Sequence, residues 1–479
     1  MRRFFLIALL SLSAGSEAMA APPVGERTNF GSAIGPTDSR LNQIEIKQET
    51  LPSGMRVILA KMPSVPGQTP RIYVATYILY GSMGEKHRGR AHLAEHVIAN
   101  NKPLAPEPPL PPNVKAIAGN ALTRPYFTSF VRIVPPELLA NALHNRIAKA
   151  GQVGLDSAIF LTEKARVIAE IERDMRGAYP AYKSLQSLAD GSTPRLRSEI
   201  EDMASVGENA LYAEIAPHYR PSNAILVVAG DFDLVETWAL IQATSNAFKW
   251  TGGHIRQPAA KSKVLKKGKA ALIPDQNQTN KYIAGAAWPK PALVSPDRLP
   301  LLIVDQLLLG GWHDSDASIP ENSLMGVELS KKLHVSNLWD GRAGTWGTPS
   351  LADTGPGISA ILFSSNAALT PEQVSEIFVT SLQDIRAHSM SDAAIIKARD
   401  ELANFYELWL FEPTYRIISD HLMAYAATGH NPCDVKNIAD NIRAVRPQAV
   451  RAAFDRYYAA QPLVVVLPPS MQDKPANLE

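Results

Sequence analysis

The residues with the clearest chemical potential lie in GEKHRGRAHLAEHVIANN, positions 84–101, where His92, Glu95 and His96 form the pattern H-x-x-E-H. On a helix, His92 and His96 stand one turn apart and project from one face. Two neutral imidazoles placed that way make a bidentate platform for Zn2+. Glu95 lies beside His96 and can act as general base toward a water whose pKa zinc lowers to about 7. The same three residues also fit an ordinary charged helix face. A catalytic zinc site therefore needs a third protein ligand from elsewhere in the chain.

The segment DSAIFLTEKARVIAEIERDMRGAYP supplies a candidate. Glu163 and Glu170 are two helical turns apart and share a face with Val167 and Ile171, so that face reads as largely buried. A buried carboxylate needs a partner. Glu170 as third ligand answers this, with Glu163 accepting a hydrogen bond that orients a ligand histidine. Glu172 and Asp174 point elsewhere and read as solvated. The competing reading of Glu170 is a surface charge or an ion pair with Arg166 or Arg173.

The elements that must position these groups follow from patterning. RVILA and RIYVATYILY read as strands, the second ending at Gly81. PELLANALHNRIAKA reads as a helix, and the glutamate segment as another, capped by Asp156 or Ser157 and stopped by Gly177 and Pro180. NAILVVAGDFD reads as a buried strand. YRPSNAILVVAGD at 219–231 has an echo in YYAAQPLVVVLPP at 457–469, an offset of 463 − 225 = 238 residues. A repeat that long suggests a duplicated α+β domain.

Bulk properties bound the function. The chain has 479 residues, 46% hydrophobic and 20% charged, with a formal charge of +2. That balance suits an ordinary globular protein and gives no electrostatic reason to expect nucleic acid as partner. MRRFFLIALLSLSAGSEAMA has a basic start, a short apolar core and an A-x-A end, so residues 1–20 read as a signal peptide and the mature chain as periplasmic. No other apolar run is long enough for a membrane span. Cys433 is the only cysteine, so no internal disulfide can form. The expected layout is an arm or linker at 21–44, a metal-binding domain at 45–254, a linker at 255–270 and a second homologous domain without metal at 271–479.

GRAHLAEH, followed by the glutamate of EKARVIAE, resembles the pitrilysin or insulysin-type (M16) zinc peptidases, which include the mitochondrial processing peptidase. LPSGMRVIL, YGSMGE, GNALTRPYFTSF, YRPSNAILVVAGDFD and LLLGG are similar to further landmarks of that family, so the resemblance runs from about 45 to the C-terminus. It implies His92, His96 and Glu170 as zinc ligands, Glu95 as general base and Glu163 as a supporting glutamate. It implies an α+β fold of two homologous domains, each an antiparallel-rich sheet packed against helices, together half of a clamshell. Asn120 and Ala121 match the segment that lines a peptide held against a strand edge. The partners implied are a peptide substrate and, as homo- or heterodimer, a homologous metal-free subunit.

Three departures stand out. VIANNKPLAPEPPLPPN is Pro-rich where the family has an apolar turn, and Tyr126 stands where the family has Asp. In the second half, Ser330 and Asn337 fall where many members carry an Arg and a Tyr that grip the substrate carbonyl. The 238-residue offset also carries His92 to Ser330, Glu95 to Leu333 and His96 to His334. DTG at 353–355 is a lone tripeptide and reads as a turn, because aspartic-protease chemistry needs two carboxylates sharing a proton. Two functions follow: a zinc endopeptidase, or a non-catalytic scaffold or assembly subunit of the same fold.

Overall fold

β-branched and aromatic residues in RVILAK and IYVATYI suit a pleated sheet covered on both faces, and the structure uses them so. The computed structural model describes residues 40–63, 70–101, 108–151, 156–174, 178–191, 196–248, 250, 268–274, 279–310, 323–333, 344–346, 354–411 and 415–469. The expected signal peptide, and most of the expected arm and of the linker, lie outside the described residues.

The first half runs β1 (Glu45–Thr50), β2 (Arg56–Lys61), β3 (Ile72–Ile78), α1 (Arg90–Asn100), β4 (Ala118–Thr123), β5 (Thr128–Val134), α2 (Leu139–Ala148), α3 (Ser157–Asp174), α4 (Tyr179–Asp190), α5 (Leu196–Ser205), α6 (Glu208–Ile215), β6 (Ala224–Gly230) and α7 (Leu234–Ala247). Its sheet has the order β1-β2-β6-β3-β5-β4, antiparallel except for β2 beside β6. Leu41 and Ile44, at the end of the expected arm, are buried against this sheet, so the folded part starts earlier than composition suggests.

The second half runs β7 (Ala270–Leu272), β8 (Tyr282–Lys290), α8 (Arg298–Leu309), α9 (Leu324–Leu333), β9 (Gly344–Trp346), β10 (Gly357–Ser365), α10 (Pro371–His388), α11 (Asp392–Trp409), α12 (Arg416–Ala427), α13 (Ile438–Arg443), α14 (Pro447–Tyr457) and β11 (Leu463–Leu467). Its order β7-β11-β8-β10-β9 repeats that of β2-β6-β3-β5-β4, including the one parallel pair. The architecture is α+β with two sheets of one plan, each packed against helices.

The repeat corrects the constant offset. β11 follows β6 by 463 − 224 = 239 residues, but β8 follows β3 by only 282 − 72 = 210. The helix equivalent to α1 is α8, the one that follows β8, at an offset of 298 − 90 = 208. On that offset His92, Glu95 and His96 match Pro300, Ile303 and Val304, not Ser330, Leu333 and His334. Ile303 and Val304 are fully buried, so the second half uses this helix as core. The extra helix α9 lengthens the second half between α8 and β10 and so shifts the register of the repeat.

Pro180 also departs from expectation. It stops nothing but sits in the first turn of α4, where a missing N–H costs no hydrogen bond. α4 places Ala181, Leu185, Leu188 and Ala189 against Ile283, Ala360, Leu362 and Val465 of the second sheet. Its counterpart α12 lies on the first sheet, where Tyr77 donates to Asp420 Oδ1 at 2.7 Å. Each half thus lends one helix to the other's sheet.

Candidate metal centre

α1 begins at a glycine in the left-handed region, Gly89, which has no side chain to cap it. Glu85 does so instead: its carboxylate accepts from the backbone N–H of Gly89 and of Ala91, each at 2.8 Å. Burial pushes the Glu85 carboxyl up to about 7, against those two bonds and the Lys183 charge. Leu93, Ala94, Val97 and Ile98 bury one side of α1 in the core under the first sheet. The ring pair His92 and His96 faces α3, with centroids 4.9 Å apart.

α3 is capped by Asp156, whose Oδ1 accepts from the N–H of Ala158 and Ile159. Phe160, Glu163, Val167 and Ile171 form its buried stripe. Glu170 is half-buried at the stripe's edge, while Glu172 and Asp174 are exposed, as their angles on the helix predict. Glu170 Oε2 lies 3.6 Å from His92 Nε2 and 3.4 Å from His96 Nε2. The three ligand atoms all lie within 4.8 Å of one another. Tetrahedral zinc at about 2.0–2.1 Å from each donor would hold them roughly 3.3–3.4 Å apart. The two imidazole-to-carboxylate spacings are close to that and longer than ordinary hydrogen bonds of 2.7–3.2 Å. The donor set, two imidazoles and a carboxylate, fits zinc.

His96 is oriented from behind. Its Nδ1 lies 3.2 Å from Glu163 Oε2, which favours a proton on Nδ1 and leaves the Nε2 lone pair for a metal. Arg166 Nη1 donates to Glu163 Oε1 at 2.6 Å, so the arginine pairs with the supporting glutamate and not with Glu170. The adjacent imidazoles of His92 and His96 hold the Glu170 carboxyl well below the usual carboxylate range, although burial opposes them. Burial pulls the His96 pKa down, but the carboxylates of Glu170, Glu95 and Glu163 together raise it.

Glu95 is 7% exposed and lies next to His96 in α1. Thr123, the last residue of β4, donates to Glu95 Oε2 at 2.8 Å. That bond ties the candidate base to the edge strand holding Asn120 and Ala121, which is where the sequence expected a peptide to lie. The roles of Thr123, Glu85 and Arg166 were not read from the sequence. Only Arg166 has a local signal, its i+3 spacing from Glu163.

The β4–β5 connection is held against two other segments. A Cβ on Gly81 would sit 2.1 Å from the Arg124 carbonyl, so only glycine permits that approach. Tyr126 packs on Gly355 and donates to the Pro356 carbonyl. The DTG segment is thus a seat for Tyr126; its Asp353 lies outside the described residues. Ser330, on α9, donates to the Gly326 carbonyl at 2.6 Å. Asn337 lies outside the described residues.

Residues 205–402 match the family model described as the peptidase M16 inactive domain. That stretch excludes His92, His96 and Glu170 and includes α8, whose equivalent positions are apolar. No curated protein sequence matches the chain. Among solved structures, a protease from Helicobacter pylori is similar at 18% identity and a TM-score of 0.69, over 89% of this chain and 100% of that one. The peptidase M16 inactive domain from Pseudomonas fluorescens is similar at 14% identity and a TM-score of 0.68, over 90% and 99%. A chain of complex III2 from Candida albicans is similar at 14% identity and a TM-score of 0.64, over 90% and 97%. Residues 205–402 are thus similar to the peptidase M16 inactive domain, and the chain shares its fold with these solved structures.

Proposed function

We propose that the chain is a zinc-dependent endopeptidase that hydrolyses peptides or unfolded protein segments in the periplasm. The observation that carries this is the convergence of His92 Nε2, His96 Nε2 and Glu170 Oε2 beside the carboxylate of Glu95. When bound there, zinc supplies Lewis-acid polarisation of a carbonyl and acidifies water. His92, His96 and Glu170 are the residues that would hold it. Glu95 takes a proton from the attacking water and delivers it to the leaving amine. Thr123 fixes one oxygen of Glu95, so the other is left to face the water. β4, an edge strand among the described residues, offers its outer edge to an extended peptide, whose backbone hydrogen bonds align it without demanding one sequence.

A second reading is favoured by Ser330, which cannot replace a guanidinium that grips the substrate carbonyl. In that reading the chain works only with a homologous metal-free subunit, or serves as a non-catalytic member of such a pair. The test is to purify the mature chain and measure zinc content and peptide cleavage, alone and mixed with a metal-free homologue. Cleavage by the chain alone supports the first reading. Cleavage only in the mixture supports the paired enzyme. Stoichiometric zinc with no cleavage in either would leave the non-catalytic role.

A further inference from the structure

On the face of the first sheet that meets α1, β5 presents Thr128, Phe130, Arg132 and Val134. Phe130 and Val134 are buried in the core there, so Arg132 is a guanidinium at a core-facing strand position. Its cross-strand partner on β4 is Gly119. Alternation puts Gly119 on the same face as Ala121, which packs on that core, and Thr123, which binds Glu95.

Nothing in the chain's own packing demands glycine at 119. A Cβ there would meet only the Val131 carbonyl at 3.6 Å and Arg132 Cγ at 3.9 Å, ordinary contacts. Glycine weakens a strand, and where packing does not call for it, it marks a place that a ligand or another backbone approaches. Here it leaves open the surface beside the Arg132 stem, next to the strand edge. Among the described residues, Arg132 has no hydrogen bond or ion pair through its side chain. The buried Arg146 adds a second positive group nearby, donating through Nη1 to the same Val131 carbonyl at 3.3 Å. An uncompensated guanidinium beside a peptide-binding edge selects for carboxylate.

We propose that Arg132 and Gly119 form a carboxylate subsite for the bound peptide. This rests on the peptidase reading and deepens it by naming a substrate class. Gly119 lies four residues from Thr123, about 13 Å along an extended strand. The carboxylate of the peptide therefore sits about four residues from the scissile bond. It comes either from an internal Asp or Glu or from the peptide's own C-terminus.

The test uses the zinc-loaded full chain carrying Glu95→Gln, so that binding is read without turnover. Fluorescently labelled neutral peptides carry a single Glu walked through every position, and a parallel set ends in free acid or amide. Binding is read by anisotropy, and cleavage of the same peptides is read with Glu95 intact. One Glu position, or the free acid at one length, is expected to bind about tenfold more tightly than its neutral equivalent. Arg132→Met should abolish that ratio, Arg132→Lys should keep part of it, and Gly119→Val should reduce it. Melting temperatures of the variants check that they fold. Equal affinity at all Glu positions, or a preference that survives in Arg132→Met, would overturn the subsite while leaving the peptidase intact. If no peptide is bound or cleaved by the parent chain, the peptidase reading and the subsite fall together.

Discussion

Glu163 joins His96 to Arg166: one of its oxygens lies 3.2 Å from the imidazole Nδ1 and the other takes the guanidinium at 2.6 Å. The carboxylate is 3% exposed, so it keeps one orientation, and through it the ring keeps one orientation too. Glu163→Ala is expected to weaken zinc binding by about 10–100-fold, read by competition with a chelating dye. Arg166 is largely exposed, so Arg166→Ala should cost only a small part of that. Equal zinc affinity in Glu163→Ala and the parent would remove Glu163 from the site.

Glu170 and Glu172 make opposite predictions although they are two residues apart. Glu170→Gln exchanges an anionic donor for a neutral one and should release zinc at equilibrium dialysis. Glu172→Gln changes an exposed group and should leave the metal content unchanged. The reverse result would mean that α3 presents a different face to α1.

Glu95→Gln should bind zinc as the parent does, since Glu95 is outside the ligand set. Its cleavage rate should fall by about 10²–10⁴-fold, the usual worth of a positioned general base. Thr123→Val removes the bond that aims Glu95 and should lower kcat with less effect on KM. Peptide cleavage at the parent rate by Glu95→Gln would refute its role as base.

Glu85 carries the start of α1 on two backbone N–H groups. Glu85→Ala leaves both without that partner and should cost about 1–2 kcal/mol of stability, read by chemical denaturation. A cost below about 0.3 kcal/mol would show that water replaces the cap.

Asp305 makes a prediction about pH. Burial raises its carboxyl to about 7, while Tyr458, Arg298 and Lys290 act in the opposite direction. The native state keeps this proton to about pH 7, whereas the unfolded chain releases it near 3.8. Between those values the native state binds more protons, so stability is greatest below about pH 4 on this account and falls as pH rises toward 7. The loss is on the order of 2–4 kcal/mol. Asp305→Asn should flatten this slope and melt higher than the parent at pH 8. An unchanged pH slope in Asp305→Asn would assign the effect to other groups.

The helices and central strands were legible because their signals are local. The 3.6-residue stripe of α3 and the β-branched runs of β2, β3 and β6 are local patterns. α4 escaped because Pro180 reads as a stop from one side and a start from the other. The true equivalence of α1 with α8 escaped because the 238-residue echo holds only after the extra helix α9 has shifted the register.

The sequence by itself determined the types and helical spacing of the candidate site residues, since His92, Glu95, His96, Glu163 and Glu170 obey the period of one helix or another. Only the tertiary structure decided which atoms meet. The distance from α1 to α3, the split of Glu163 between His96 and Arg166, and the hold of Thr123 on Glu95 all depend on contacts between residues at least 28 apart in the chain, apart from the single turn that joins Glu163 to Arg166. Local propensity fixes the face a side chain occupies. It carries no information about which other face is packed against it.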